Sequence, residues 1–412
     1  MSGTQAEAVS KKLVGRLPGG DATAIVEYTA GITGVDDLLG ESRVEEFVAP
    51  GFIDLQVNGF AGVDYNDPEV SAEEIARSIR VMFTTGVTRF FPTVITGSEG
   101  RITGALHNLV SAKHELQRRG LPEAKAMEAF HVEGPHISPE TGPRGAHPVE
   151  HIRPPDLKEF RRWQEAAEGN VRLVTISPEW EGALEYIRGI VRSGVVASIG
   201  HTKATGEQIQ LAVDAGATMS THLGNATHPT LPKTNNYLWD QLAEDRLSAS
   251  FILDGIHILA PFFRAALRAK GAERAVLVTD AVMPAMCPPG FYKLGQVDVE
   301  LRADGRVVMR DGARLAGSGL RMDHAIGNAV RFSGASLSTI LPAATTNAAR
   351  AGRIAGRQRG LTTGEKADLV RFRWNPSSFM LDVRETIVAG ISVYNAEARP
   401  ETLAQRSGSY RA

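Results

Sequence analysis

Disulfide bonds are excluded by count, because the sequence holds a single cysteine, Cys287. The same count removes CxxC redox motifs and cysteine-ligated metal sites. One thiol in the loop-like run Pro284-Ala285-Met286-Cys287-Pro288-Pro289 is expected to be inert, and a reducing, cytoplasmic setting fits it. Long hydrophobic runs are missing too. No stretch approaches the roughly 18 apolar residues of a membrane helix, and Met1 to Leu17 lacks the apolar core of a signal peptide. Neither sign of charge dominates: 45 basic and 47 acidic residues leave a formal charge of −2. No overall basic field therefore draws the chain to nucleic acid or to an anionic membrane. Nor does a GxGxxG follow the first strand-like run, which argues against an open dinucleotide-binding sheet. What the chain does have is 412 residues with a 42% hydrophobic fraction, enough for one large domain with a smaller companion.

Between residues 50 and 285 a short apolar, β-branched run repeatedly ends in a polar residue and gives way to a helix-like stretch. The runs are Gly51–Asn58, Thr88–Thr93, Ala129–Glu133, Val171–Ser177, Val195–His201, Thr218–His222, Ala249–Asp254 and Ala275–Asp280. Amphipathic segments such as Ala72–Thr85, Pro155–Gly169, Gly182–Ser193, Gly206–Ala215 and Pro261–Lys270 lie between them. Ser71 with Glu74, and Thr205 with Gln208, have capping-box spacing. Gly194, Gly216 and Gly271 stand where helices should stop. Strands alternating with helices imply parallel pairing with helical crossovers, and eight such units predict a closed (β/α)8 barrel over residues 49–364. Residues 1–48 and 365–412 contain the remaining strand-like runs, Ala24–Tyr28, Val44–Val48, Ala367–Trp374 and Thr386–Tyr394. They are expected to pair into a small β-sandwich built from both termini. Gly295–Met309 reads as a hairpin with its turn at Asp304-Gly305, inserted after the eighth strand.

Strand C-termini of such a barrel open onto one face. There the sequence places Gln56, Asn58, Glu133, His201, His222 and Asp280, where apolar or small residues would suffice for structure alone. Glu133 ends a strand and is followed by Gly134-Pro135. Alone it is as well explained by a salt bridge as by metal ligation. A lone histidine is usually a satisfied core residue, but His201 and His222 end successive strands. With Glu133 they form a His2Glu set, which leaves a coordination position open as catalytic zinc sites do. An ion there would acidify a water towards pKa ~7 and polarise a carbonyl. Asp280, ending the last strand, is placed to take a proton from that water and pass it to a departing amine. His257, in Asp254-Gly255-Ile256-His257, is a candidate to polarise the scissile carbonyl or touch substrate. On spacing alone a structural role is as good. His147, in a Pro/Gly-rich loop, is a candidate substrate contact, with a solvated loop residue as the plain alternative.

Taken in order, Pro50-Gly51-Phe52-Ile53-Asp54-Leu55-Gln56-Val57-Asn58-Gly59, His131-Val132-Glu133-Gly134-Pro135, Gly145-Ala146-His147, Gly200-His201-Thr202, Thr221-His222-Leu223-Gly224-Asn225-Ala226, Asp254-Gly255-Ile256-His257, Val278-Thr279-Asp280 and Leu315-Ala316-Gly317-Ser318 resemble the N-acetylglucosamine-6-phosphate deacetylase family of the amidohydrolase superfamily. The resemblance runs from Pro50 to about Leu369. It implies metal ligation by Glu133, His201 and His222, an acid/base role for Asp280, and substrate contacts from His257, His147, Asn225 and Ala226. It further implies a homo-oligomer, commonly a dimer. The expected reaction is removal of an N-acetyl group from an amino sugar, by default the 6-phosphate. Two departures qualify the match. The superfamily's His-x-His at the first strand is here Gln56 and Asn58. Since amides are poorer zinc ligands, one divalent ion per subunit is expected, zinc first, with iron, manganese or cobalt possible. Gln56 remains a weak metal or water contact. The arginine that in the family binds the sugar phosphate across the subunit interface is also missing between His222 and Arg246, so Lys233 and His228 are the candidate replacements. Trp239 is expected in the core, with stacking on a sugar ring as the alternative. An unphosphorylated amino sugar, an N-acyl amino acid or a cyclic amide is the competing substrate. A non-catalytic binding protein is the competing class, disfavoured because Glu133, His201, His222 and Asp280 are all present.

Overall fold

A computed structural model of the chain describes residues 9–20, 22–37, 44–294, 297–310, 312 and 314–398. Eight parallel strands form its centre: Phe52–Val57, Val87–Ile95, Phe130–Glu133, Val171–Ile176, Val196–Ile199, Met219–Ser220, Ser248–Phe251 and Ala275–Leu277. Each coincides with one of the runs read from sequence. They neighbour one another in chain order. A parallel bridge between Val57 and Ala281, with hydrogen bonds from Asp280 N to Gln56 O (3.0 Å) and from Asn58 N to Ala281 O (2.8 Å), joins the last strand to the first. The closed sheet is therefore a (β/α)8 barrel. Its closure stacks the ends of the first and last strands, and this is what brings residues 56–58 beside residue 280.

The helices form where local signals place them. Ala72–Phe83 starts on Ser71, whose side chain accepts from Glu74 N while the Glu74 carboxylate accepts from Ser71 N. Gly206–Asp214 starts on the same reciprocal pair made by Thr205 and Gln208, two otherwise orphaned donors being satisfied each time. Gly194, Gly216 and Gly271 all have positive φ just past helix ends, the left-handed exit that favours glycine. Two further helices, Glu99–Arg118 and Met322–Ser333, complete the outer layer. The apolar faces of strands and helices merge in one core containing Trp163, Phe90, Phe130 and Phe251.

Strands from both termini build a seven-stranded sheet in the order Ile391–Asn395, Met380–Val388, Leu369–Asn375, Phe47–Pro50, Lys11–Arg16, Thr23–Tyr28, Ile32–Asp37. It folds over a separate core of Leu13, Val26, Tyr28, Val48, Leu369 and Ile387. A contact from Lys11 Nζ to Gly390 O (2.9 Å) ties its two ends together as a sandwich. One expectation is corrected here. Thr386–Tyr394 is not a single strand but a hairpin, because Ala389 and Gly390 both take positive φ, the geometry of a type I′ turn. The hairpin expected in Gly295–Met309 is present as Val297–Leu301 and Arg306–Met309. It is extended by Gly290–Leu294 and Leu315–Ser318 into a four-stranded sheet, whose apolar face covers Ala146. No helix among the described residues is long and apolar enough to cross a membrane.

Candidate active site

Glu133, His201 and His222 converge at the C-terminal mouth of the barrel, all three buried. His222 Nε2 lies 2.9 Å from Glu133 Oε1 and 3.1 Å from His201 Nε2, and His201 Nε2 lies 3.2 Å from the same oxygen. His201 Nδ1 donates to Pro143 O at 2.8 Å, which leaves Nε2 carrying the lone pair in the neutral ring. Three ligand atoms thus crowd one point with edges close to the roughly 3.3 Å separating donors around a tetrahedral ion with ~2.0 Å bonds. The donor set and its spacing fit a divalent metal. Burial opposes ionisation of Glu133, but its contacts with the His201 and His222 rings outweigh it and hold the carboxyl well below its usual value. Burial lowers His222, and the Glu133 contact more than reverses that.

Asp280 stands beside this cluster. Gln56 Nε2 donates to both Glu133 Oε1 (2.9 Å) and Asp280 Oδ1 (3.1 Å), and Asn58 Nδ2 donates to Asp280 Oδ1 at 2.6 Å. Burial first, and the Glu133 charge second, push the Asp280 carboxyl up to about 6, close to neutrality, as a group that both takes and returns a proton requires. Gln56, expected as a weak metal or water contact, therefore meets the two carboxylates as their shared donor. Asp54, on the same strand, supports this corner from below. Its Oδ2 accepts from Thr279 Oγ1 (2.6 Å) and its Oδ1 from Gln56 N (3.2 Å).

The other sequence candidates divide. His147 is buried, hydrogen-bonded through Nδ1 to Thr96 Oγ1 (2.7 Å), and its Nε2 is 3.8 Å from Glu133 Oε2. Glu133, His147 and His201 form a group whose ligand atoms lie within 4.8 Å of one another. Burial lowers the His147 ring to about 3, so it stays neutral. His257 lines the cavity, with Nδ1 2.6 Å from Asp254 Oδ2. Asn225 and Ala226 line it as well. His228 and Lys233 do not line the cavity of their own subunit. The ring of His228 is engaged by Tyr237 Oη (3.0 Å) and Glu140 Oε2 (3.1 Å), and Lys233 lies exposed. Trp239 is neither core nor cavity wall. It is 52% exposed and donates to Lys233 O.

The cavity itself is about 830 Å³, large enough for a sugar-sized ligand. Sequence reasoning passed over two residues of its lining, Arg144 and Arg314, and one beneath it, Asp54. Asp54 has no neighbour in sequence that reveals its partner Thr279. Arg144 sits inside the flagged His147 loop but carried no spacing signal. Arg314 lies on the inserted sheet, far along the chain from the other site residues.

Residues 47–393 match the amidohydrolase family. The chain is 33% identical over 330 residues to the N-acetylglucosamine-6-phosphate deacetylase of Bacillus subtilis, covering 80% of this chain and 81% of that one. It is 31% identical over 330 residues to the N-acetylgalactosamine-6-phosphate deacetylase of Escherichia coli O157:H7, covering 80% and 84%. Among solved structures, a mutant N-acetyl-D-glucosamine-6-phosphate deacetylase from Mycobacterium smegmatis, in complex with N-acetyl-D-glucosamine-6-phosphate, superposes with a TM-score of 0.81 at 28% identity, covering 94% of this chain and 100% of that one.

Proposed function

The chain belongs to the amidohydrolase family, among its N-acetyl-hexosamine-6-phosphate deacetylases, and from that premise we propose that it hydrolyses the acetamide of N-acetylglucosamine-6-phosphate to glucosamine-6-phosphate and acetate. The observation that carries this is the convergence of Glu133, His201 and His222 on one point with Asp280 held beside them. Those three side chains would hold a divalent ion, zinc by the chemistry of a His2Glu set. When bound, such an ion supplies an acidified water and a Lewis acid for the acyl oxygen. Asp280, raised to about 6 by burial and by Glu133, takes the proton of the attacking water and delivers it to the amine nitrogen, which leaves poorly unless protonated. Gln56 and Asn58 both donate to Oδ1 of Asp280 and so fix the carboxyl, leaving Oδ2 to take the proton. Gln56 also donates its amide N–H groups to both Glu133 and Asp280, and an amide in place of an imidazole supports one ion per subunit. His257, oriented by Asp254, and neutral His147 flank the position of the acyl group. Asn225 and Ala226 face the sugar.

The test is acetate release by the zinc-loaded protein from N-acetylglucosamine-6-phosphate, N-acetylgalactosamine-6-phosphate and N-acetylglucosamine in parallel. Preference for the first is the expected result. Preference for the galacto epimer changes the sugar and keeps the chemistry, and absence of acetate from all three removes the proposal.

A further inference from the structure

Resting on the acid/base role given to Asp280, we propose that Thr279 is a positioning residue for that carboxyl, locked from one side by Asp54 and from the other by Ser318. Asp280 has φ of 50°, a conformation that a residue with a side chain keeps only where its surroundings fix it. The fixing groups converge on the residue before it. Thr279 Oγ1 donates to Asp54 Oδ2 at 2.6 Å, and Thr279 N donates to Asp54 Oδ1 at 3.2 Å. Thr279 O accepts from Ser318 Oγ at 2.6 Å. The Thr279 hydroxyl also accepts from Ala281 N at 3.2 Å, a bond that spans Asp280. Asp54, Thr279 and Ser318 are each at most 2% exposed, so bulk water does not compete for these bonds.

Ser318 ends the segment Leu315-Ala316-Gly317-Ser318, the last strand of the inserted sheet, which runs along residues 280–282. Ser318 N donates to Asp280 O (3.0 Å), and Val282 N donates to Ser318 O (3.1 Å). Gly317, with φ of 67°, permits this approach, because a Cβ there would overlap Val282 Cγ1 and stand 3.1 Å from Asp280 O. On the opposite side Asp280 N donates to Gln56 O at 3.0 Å. Both backbone groups of Asp280 are thus bonded to neighbouring segments, and the backbone so fixed aims the carboxyl at Gln56 and Asn58. Asp54, Thr279 and Ser318 do not line the cavity, and the bonds of Thr279 go to none of Glu133, His201 and His222. Their effect on the reaction therefore runs through the placement of Asp280. Misplacing a reacting group by about 1 Å costs ~100-fold in rate.

The experiment compares Thr279→Val, close in shape but without the hydroxyl, with Thr279→Ser, which keeps it, and with Ser318→Ala. Thermal melts and metal analysis accompany the kinetics of each zinc-loaded protein. Thr279→Val is expected to lower kcat for N-acetylglucosamine-6-phosphate roughly 10- to 100-fold, with KM within a few-fold and the zinc content of the wild type. Ser318→Ala moves in the same direction, and Thr279→Ser returns to within a few-fold of the wild-type kcat. In an Asp280→Asn background Thr279→Val lowers kcat no further, since the carboxyl it positions is gone. An unchanged kcat in Thr279→Val, or in Ser318→Ala should Thr279→Val not fold, overturns the proposal. So does an equal further loss in the Asp280→Asn background, which marks a merely structural role. Should the wild type release acetate from none of the sugars, the deacetylase reading falls separately, and crystal structures of the wild type and Thr279→Val judge the positioning. An Asp280 carboxyl moved away from Gln56 and Asn58 in the variant supports it, and the same contacts in both proteins overturn it.

Discussion

Asp280, His201 and His222 have φ of 50°, 50° and 26°, in the left-handed region that costs a non-glycine residue about 1 to 3 kcal/mol. Three residues of the proposed machinery thus bear backbone strain, and Asp280 bears charge strain besides, its carboxyl pushed up to about 6 by burial and by Glu133. A folded-state pKa above the unfolded value means that stability from protonation is present below about pH 4 and lost as pH rises through about 6. Asparagine tolerates the left-handed region and carries no charge. Asp280→Asn is accordingly expected to lower turnover at least ~100-fold while the metal-free variant melts no lower than the metal-free wild type at pH 8. A lower melting temperature would show that the ionised carboxylate is a net stabiliser. At this scale the sequence told a good deal. The identities of Glu133, His201, His222 and Asp280 were legible because each ends a strand. The bridging role of Gln56 was not, because an amide at a strand end looks the same whether it binds an ion or two carboxylates.

Asp368, just before the strand Leu369–Asn375, joins elements that are distant in sequence. It accepts from Arg89 Nε (2.7 Å) on a barrel strand, from Arg357 Nη1 (2.6 Å), and from Ala389 N (2.6 Å) in the turn of the terminal hairpin. Arg357 Nη2 in turn donates to Gly51 O (2.5 Å) at the entry to the first barrel strand. Burial opposes the Asp368 charge, but Arg357 and Arg89 outweigh it and hold the carboxyl at about 2. Here the sign is the reverse of that for Asp280. The contribution, about 2 kcal/mol, is complete above pH 4 and lost as pH falls from about 4 to 2. Urea unfolding of the wild type should therefore show falling stability across that window. Asp368→Asn should flatten it and lower stability at pH 7 by roughly 3 to 5 kcal/mol, because buried Arg357 loses its counter-charge and Arg89 keeps only Glu128. A variant as stable as the wild type at pH 7 would show that the clamp contributes nothing. The barrel strands and capped helices were readable because their signals are local. The terminal hairpin was not, since Ala389-Gly390 lacks the Asn-Gly or Asp-Gly pair that usually announces a type I′ turn.

For the molecule as a whole, the ligand cluster links strands 3, 5 and 6 of the barrel, so an ion bound there stabilises the closed barrel by mass action. An ion at a thousand times its Kd contributes about 4 kcal/mol. Chelation should lower the melting temperature and abolish acetate release, and re-adding zinc, cobalt or manganese should restore both. Metal analysis should find about one ion per chain. A count near two would mean that His147, 3.8 Å from the second oxygen of Glu133, helps hold a further ion.

By itself the sequence determined the barrel, the terminal sheet and the residue types at the barrel mouth. Strand alternation, capping boxes and helix-ending glycines act over a few residues and are written contiguously in the chain. Only the tertiary structure decided that Gln56 bridges Glu133 and Asp280, that Asp54 braces Thr279, that His228 and Lys233 do not line the cavity of their own subunit, and that Arg314 reaches Gly145 O from the inserted sheet. Those facts depend on which way a side chain points once the first strand closes against the last and the inserted sheet folds over the His147 loop, and no local pattern encodes a direction across so many intervening residues.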